Sequence, residues 1–196
     1  MPLVRLPKNV PLLLTALRAL LAPVVVFLAI YEPMPTAFGV CLVVAFLSDI
    51  FDGVIARRLG VATPGLRRLD SVADSIFYAA AVFAAWHLYP AAITDRSVPL
   101  GVLLLLELAR YAFDFIKFGR EASYHMWSSK LWGIALFAGF FELLALGRAG
   151  LAVSIAVYVG IIADLEGLAI SIRLRQWQTD VPTILHALRL ERGART

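Results

Sequence analysis

Residues 48–74 read SDIFDGVIARRLGVATPGLRRLDSVAD, and this stretch decides how the chain is interpreted. It contains four aspartates in two pairs, Asp49 with Asp52 and Asp70 with Asp74. Residues three or four apart lie on one face of a helix, so each pair presents two carboxylates together. The first pair ends an apolar run and the second pair begins the next one. The sequence therefore predicts four carboxylates gathered around one turn.

The composition is that of a polytopic membrane protein. Of the 196 residues, 61% are hydrophobic and 16% are charged. Soluble domains carry only about 45–50% apolar residues. Six apolar segments have the length needed to span a bilayer, at residues 11–30, 37–57, 69–90, 98–117, 129–147 and 150–172. We therefore expect an all-α integral membrane fold with six transmembrane helices, forming a single domain over residues 1–196.

The basic residues indicate the orientation of this fold. Arginine and lysine flank the apolar segments mostly on one predicted side, which the positive-inside rule places in the cytoplasm together with both termini. Residues 1–10 and a tail from about residue 173 to residue 196 are predicted to lie in the membrane interface. The net charge of +4 is thus explained without a nucleic-acid partner.

Because Cys41 is the single cysteine, a disulfide framework and a cysteine metal site are excluded.

Four acids at a membrane need a cationic partner. A charged side chain deep in a bilayer costs at least ~2.5–3.5 kcal/mol. A compact, oxygen-rich and anionic site suits a hard divalent cation, usually Mg²⁺ or Mn²⁺. Two such ions side by side support phosphoryl displacement. Arg18, in the first apolar segment, is predicted to face inward, toward the acids or a bound diphosphate.

Small residues extend the helical face of the first aspartate pair. Gly53 and Ala56 share this face with Asp49 and Asp52, and they leave a hollow where a flat group could approach the backbone. Arg57 lies at the rim, where it could meet phosphate oxygens. Without the aspartates, Gly53 and Ala56 would more often be interpreted as helix-packing residues.

The spacing of these residues resembles the signature of the CDP-alcohol phosphotransferase (CDP-alcohol phosphatidyltransferase) family, D-x2-D-G-x2-A-R-x8-G-x3-D-x3-D. Seven positions match in type and spacing, namely the four aspartates, Gly53, Ala56 and Arg57. The first helix is similar to that of the bacterial phosphatidylglycerophosphate synthase branch, through Thr15, Arg18 and Pro23. The chain departs from the signature at its second glycine, where Leu66 stands and the glycine is one residue earlier, at Gly65.

The resemblance implies a metal-dependent enzyme of phospholipid biosynthesis. It would transfer a phosphatidyl group from CDP-diacylglycerol to a small polar alcohol and release CMP. The resemblance implies two divalent cations, Mg²⁺ or Mn²⁺, on Asp49, Asp52, Asp70 and Asp74, with Asp74 as the general base. It implies CDP-lipid contacts from Asp52, Gly53, Ala56, Arg57 and Thr63.

The resemblance also suggests substrates and an assembly. Glycerol 3-phosphate is the first expectation for the acceptor, and inositol, inositol phosphate, serine and phosphatidylglycerol remain alternatives. A homodimer in the bacterial cytoplasmic membrane is implied, with the active site facing the cytoplasm.

A polar stripe runs along the fourth apolar segment. Its members lie at i, i+3, i+7 and i+10, which is one helical face: Glu107, Arg110, Asp114 and Lys117. One interpretation is ion pairing within the helix, Glu107 with Arg110 and Asp114 with Lys117. The other is the wall of an acceptor pocket. Further along, Asp164 and Glu166 are acids without an assigned partner, and only one of them can face the core.

The polar stretch after this segment also has two interpretations. Its aromatic residues, Tyr124 and Trp127, are typical of membrane-interface anchors. His125 and Lys130 could instead bind a polar acceptor. The candidate acceptor-binding residues are therefore Arg110, Asp114, Lys117, His125 and Lys130.

Two other classes of function stay open. Leu66 in the glycine position is compatible with a homologue that binds metal and CDP-lipid but has lost or altered turnover. The acids could also form the pathway of a divalent-cation transporter. Against the transporter, the four aspartates cluster at one membrane face, and only Glu142 offers a polar group toward the other side.

Overall fold

The computed structural model describes residues 7, 9–61 and 63–193, and this part of the chain is helical. No β-strand occurs among these residues, so the expected all-α class is confirmed. The interfacial segment predicted for residues 1–10 lies mostly outside the described residues. The helices are α1 (Val10–Tyr31), α2 (Pro35–Leu59), α3 (Pro64–Leu88), α4 (Pro90–Thr94), α5 (Ser97–Phe118), α6 (Trp127–Phe140), a π-helical turn (Phe141–Ala145), α7 (Leu151–Arg173) and α8 (Ile184–Gly193).

Proline and glycine set several helix boundaries. Pro35 and Pro64 are the first residues of α2 and α3, where the missing N–H leaves no hydrogen bond unmade. Gly60 and Gly119 follow the last residues of α2 and α5 with φ of 67° and 68°. Only glycine adopts this left-handed conformation without strain from a Cβ atom, so each helix ends at a glycine.

The chain divides into two compact units. The first contains the chain up to Ala92 together with Phe140–Arg148. In this unit α1 packs along both α2 and α3, and the π-helical turn packs against α2. A Cβ atom on Gly39 would lie 3.3 Å from the Cβ of Ala145, so the absent side chain allows this close approach. Since α1 touches both neighbours, it can reach the aspartates of each.

The second unit contains Ile93–Gly139 and the chain from Ala149 onward. Here α5 packs on α7, and α8 packs on α7. Two glycines of α7 admit bulky neighbours: a Cβ on Gly160 would lie 2.6 Å from Trp132 Nε1, and one on Gly167 would lie 2.9 Å from Arg110 Cδ. Buried side chains hold the tail to this unit, in a cluster of Tyr124, Met126, Ile170, Leu174, Val181 and Ala187.

Five helices of the described part are long and apolar enough to cross a membrane, by length and composition. They coincide with five of the six predicted segments: Val10–Tyr31, Pro35–Leu59, Arg68–Leu88, Trp127–Ala145 and Leu151–Arg173. The other predicted segment forms α5, a 22-residue helix that carries the polar stripe. Large apolar side chains such as Trp86, Ile116 and Leu151 remain exposed on the outside, as expected for helices that face lipid. The chain is an integral membrane protein.

Candidate active site

The four aspartates of the first unit meet around one arginine. Asp49 and Asp52 lie in the C-terminal half of α2, and Asp70 and Asp74 lie in the N-terminal half of α3. From α1, Arg18 donates through Nη1 to Asp49 Oδ1 at 2.9 Å and through Nη2 to Asp70 Oδ1 at 3.0 Å. The same two nitrogens also donate to Asp74 and Asp52. The prediction that Arg18 faces the acids is confirmed.

The aspartate site is closed at one end and open at the other. The Asp52 side chain is 5% exposed, whereas that of Asp49 is 46% exposed. Asp70 and Asp74 lie between these extremes. Beside Asp52, the Thr15 hydroxyl donates to the carbonyl of Pro11 at 3.1 Å and lies 3.5 Å from Asp52 Oδ2. A molecule can therefore approach the carboxylates from the side of Asp49.

Thr15 is a site residue that the sequence reasoning missed. From the sequence, Thr15 was interpreted only as part of the first-helix similarity, together with Arg18. Because the two residues are three apart, they share a helical face. That spacing was the signal that could have placed Thr15 beside the acids.

Three of the aspartates could hold a metal ion. Oxygen atoms of Asp49, Asp70 and Asp74 all lie within 4.8 Å of one another. Carboxylate oxygens at this spacing suit a hard divalent cation, which prefers oxygen ligands. Asp52 supplies a fourth carboxylate, joined to the same guanidinium. The residues present thus fit the kind of cation that the sequence predicts.

The small residues on the α2 face differ in their surroundings. A Cβ on Gly53 would lie 3.4 Å from Arg57 Nη1, so the Arg57 guanidinium lies over this glycine. Arg57 itself is exposed, and Ala56 is buried. The rim position predicted for Arg57 therefore coincides with an exposed cation one turn beyond Gly53.

Thr63 caps the helix that carries Asp70 and Asp74. Its backbone is extended, and its Oγ1 accepts a hydrogen bond from the Leu66 N–H at 3.2 Å. This satisfies one of the free donors at the start of α3. Leu66, which replaces the signature glycine, is therefore part of a capped helix start. No neighbouring atom of the described residues lies within 4 Å of a Cβ placed on Gly65, so their packing does not require glycine there.

Replacing Thr63 with alanine should destabilise the protein by about 1 kcal/mol and lower activity, since the cap supports the helix that positions two of the acids. Thr63→Ser keeps the hydroxyl oxygen and should behave like the unaltered protein. Thermal unfolding in detergent and turnover would be compared for both variants. A Thr63→Ala protein of unchanged stability that binds only the nucleotide-linked lipid more weakly would contradict the capping role and favour a direct ligand contact.

The polar stripe of α5 belongs to the second unit, and its cations contact α7. Arg110 Nε lies 3.1 Å from Asp164 Oδ1. Lys117 Nζ donates to the carbonyls of Ser171 and Ile172 at 2.7 and 3.0 Å. Free carbonyls at a helix C-terminus favour such a cation. The interpretation of the stripe as ion pairs within α5 is therefore wrong for Arg110 and Lys117.

Two carboxylates of this unit are buried with one oxygen unpaired. Asp114 and Asp164 are each 2% exposed. Among the described residues, Asp114 Oδ1 and Asp164 Oδ2 have no hydrogen-bond partner. Glu166 is only partly buried, and its Oε1 accepts from the Ile184 N–H at 3.1 Å, which caps α8. The prediction that only one of Asp164 and Glu166 faces the core is confirmed.

His125 and Lys130 make contacts within the second unit. His125 Nδ1 lies 2.9 Å from Asp180 Oδ1, and both residues have left-handed backbones, with φ of 51° and 57°. Lys130 Nζ lies 4.3 Å from the centroid of the Trp127 ring. Both side chains are exposed, so each remains accessible to a polar ligand.

Comparisons with known proteins agree with the family resemblance of the sequence. Residues 8–171 match the family model described as CDP-alcohol phosphatidyltransferase. A protein of Salmonella choleraesuis (strain SC-B67) named CDP-diacylglycerol–glycerol-3-phosphate 3-phosphatidyltransferase is 38% identical over 76 residues. A protein of the same name from Escherichia coli (strain K12) is 40% identical over 77 residues.

These matches with individual proteins cover only part of each chain. Each covers 38% of this chain, and the chain spans 42% of the length of these curated relatives. No solved structure matches the chain significantly.

Proposed function

We propose, because this chain belongs to the CDP-alcohol phosphatidyltransferase family, that it transfers a phosphatidyl group from CDP-diacylglycerol to glycerol 3-phosphate and releases CMP. The observation that carries the proposal is the meeting of the four signature aspartates of α2 and α3 in one partly open site. The printed names of the two relatives support glycerol 3-phosphate as the acceptor. Inositol, inositol phosphate, serine and phosphatidylglycerol are the alternative acceptors.

The four aspartates would hold two divalent cations, Mg²⁺ or Mn²⁺. The close approach of Asp49, Asp70 and Asp74 supports this assignment for the first ion. Asp52 completes the set at the buried end of the site. When bound, the cations neutralise the diphosphate, whose negative oxygens otherwise repel the attacking hydroxyl.

Asp74 would act as the general base. Its carboxylate is one-third exposed, so an acceptor hydroxyl can approach it. The acceptor oxygen forms a bond to the phosphorus that bears the diacylglycerol, and the hydroxyl proton passes to Asp74. The bond between that phosphorus and the bridging oxygen breaks, and CMP leaves with the electron pair.

The other candidate residues would orient the two substrates. Arg57, whose guanidinium lies over Gly53, would bind the donor's phosphate oxygens. Gly53 and Ala56 would border the cytidine, and Thr63 would contact the nucleotide or its diphosphate. In the second unit, Arg110, Lys117, His125 and Lys130 are the residues proposed to bind the acceptor. Asp114, whose Oδ1 is unpaired among the described residues, would accept from an acceptor hydroxyl.

We propose six transmembrane spans, with α5 as the additional one, in a single domain over residues 1–196. The basic residues in the last turns of α2, α5 and α7 support cytoplasmic termini and a cytoplasmic active site: Arg57, Arg58, Lys117 and Arg173. The tail from about residue 173 to residue 196 would lie in the interface of a bacterial inner membrane. A homodimer is part of the same proposal.

The proposed activity is tested by CMP release from the purified protein with CDP-diacylglycerol and Mn²⁺, across a panel of the acceptors named above. Release with glycerol 3-phosphate is expected. Binding of CDP-diacylglycerol without release to any acceptor would favour a homologue with altered turnover. Metal-ion flux into proteoliposomes without CMP release would favour a transporter.

Removing divalent cations should abolish this release. Excess EDTA is expected to reduce turnover to background, because four carboxylates cannot neutralise a diphosphate without cations. Adding back Mg²⁺ or Mn²⁺ should restore activity, whereas Na⁺ at equal ionic strength should not. Full turnover in EDTA would contradict the metal-dependent mechanism.

A further inference from the structure

Arg18 is bound by the very carboxylates that a metal ion would need. Its side chain is 2% exposed, and its two terminal nitrogens contact all four aspartates. Three of these acids are the ones whose oxygens approach within 4.8 Å of one another. A guanidinium and a divalent cation therefore compete for the same oxygen atoms.

Within the described part of the chain, only the four aspartates hold the guanidinium. Its hydrogen bonds there run from the terminal nitrogens to the four carboxylates. The remaining nitrogen, Nε, is buried and has no partner among the described residues. No backbone carbonyl or other side chain among them fixes the head group. If divalent cations bind the carboxylates, no other group of the described residues retains the guanidinium in its position.

The charges also favour exchange. With all four carboxylates ionised, one guanidinium leaves three negative charges uncompensated. Divalent cations would compensate these charges, but they would then repel a guanidinium that stayed in contact with the same oxygens. The negative charge of the carboxylates is thus compensated in part by Arg18 or more fully by metal ions.

We propose that Arg18 is an exchangeable counter-ion of the metal site, which stabilises the carboxylates without metal and is displaced from them when divalent cations bind. The inference rests on the proposed metal site of this enzyme. In this role Arg18 competes with the metal ions and weakens their affinity, whereas a residue that supports the metal site would strengthen it.

Metal binding without substrate tests the exchange. Calorimetric titration of the purified protein with Mn²⁺ would compare the unaltered chain with Arg18→Gln, which removes the charge but keeps a polar side chain. We expect Arg18→Gln to bind Mn²⁺ at least about tenfold more tightly. Arg18→Lys should be intermediate, because one ammonium cannot match a planar guanidinium across four carboxylates. The matched control is Arg58→Gln, which removes an exposed charge at the end of α2 and should leave affinity unchanged.

Thermal unfolding gives a second readout that does not depend on activity. In EDTA, Arg18→Gln should melt at a lower temperature than the unaltered protein, because its carboxylates repel one another. Mn²⁺ should raise its melting temperature by about 5 °C more than it raises that of the unaltered protein. If Arg18→Gln is unfolded in EDTA, recovery of a folded protein on adding Mn²⁺ gives the same result.

The outcomes separate this inference from the proposed function. Equal or weaker Mn²⁺ binding by Arg18→Gln, with no larger gain in melting temperature, would overturn the exchange and make Arg18 a fixed structural residue. Absence of Mn²⁺ binding in both proteins would overturn the inference together with the metal site. Tighter Mn²⁺ binding by Arg18→Gln, in a protein whose unaltered form releases no CMP, would support the exchange while the transfer activity fails.

Discussion

Asp74→Asn should lower CMP release by at least about 100-fold, because a positioned general base contributes roughly 10²–10⁴-fold to a proton transfer. Asparagine has nearly the same size, and its carbonyl oxygen can still accept a hydrogen bond from Arg18. It cannot take the proton of the attacking hydroxyl. The loss should therefore appear in kcat with CDP-diacylglycerol and glycerol 3-phosphate both saturating.

Two controls separate the base from a metal ligand. Asp95→Asn changes an exposed aspartate between α4 and α5 and should leave turnover intact. Asp70→Asn removes a carboxylate proposed only as a ligand, so its main effect should be weaker Mn²⁺ binding. If Asp74→Asn keeps part of its Mn²⁺ affinity and loses turnover, the base assignment stands. Normal turnover in Asp74→Asn would refute it.

Arg110→Met should reduce the free energy of unfolding by about 3–5 kcal/mol, the usual cost of leaving one member of a buried ion pair alone. The carboxylate of Asp164 is 2% exposed and would lose the cation 3.1 Å away. Its second oxygen already has no partner among the described residues. Denaturant unfolding in detergent micelles measures this loss.

The double variant Arg110→Met with Asp164→Leu provides the matched control. Because apolar residues can replace a buried pair at little cost, the double variant should be more stable than Arg110→Met alone. The KM for glycerol 3-phosphate, measured on the same proteins, tests the proposed acceptor role. An Arg110→Met protein that keeps its stability but needs far more acceptor would show that Arg110 acts chiefly as a ligand.

The first unit was largely predictable because its signals are local in sequence. The spacing of the aspartates predicted shared helical faces. Their position at the end of one apolar run and the start of the next predicted the turn from α2 to α3. The inward orientation of Arg18 also followed from a charge inside an apolar segment. The capping role of Thr63 did not follow, since a threonine before a proline suits both a helix cap and the ligand contact that the resemblance implies.

The second unit was harder to predict because its polar contacts join distant residues. Arg110 meets Asp164 across 54 positions, and no periodicity connects them. The spacing within α5 suited ion pairs along the helix as well as contacts outside it, so the stripe did not indicate which partners its charged residues would have. Only the packing of α5 on α7, with Gly167 admitting the Arg110 side chain, selects the partners.

The contact between Lys117 and the last carbonyls of α7 fixes these two helix ends at a common depth. Lys117 Nζ bonds to Ser171 and Ile172, within the last turn of α7. In a bilayer thinner or thicker than the helices require, a helix normally adjusts by tilting on its own. With α5 as the proposed sixth span, α5 and α7 would have to tilt together or break this contact, so the two helices should respond to lipid chain length as one pair.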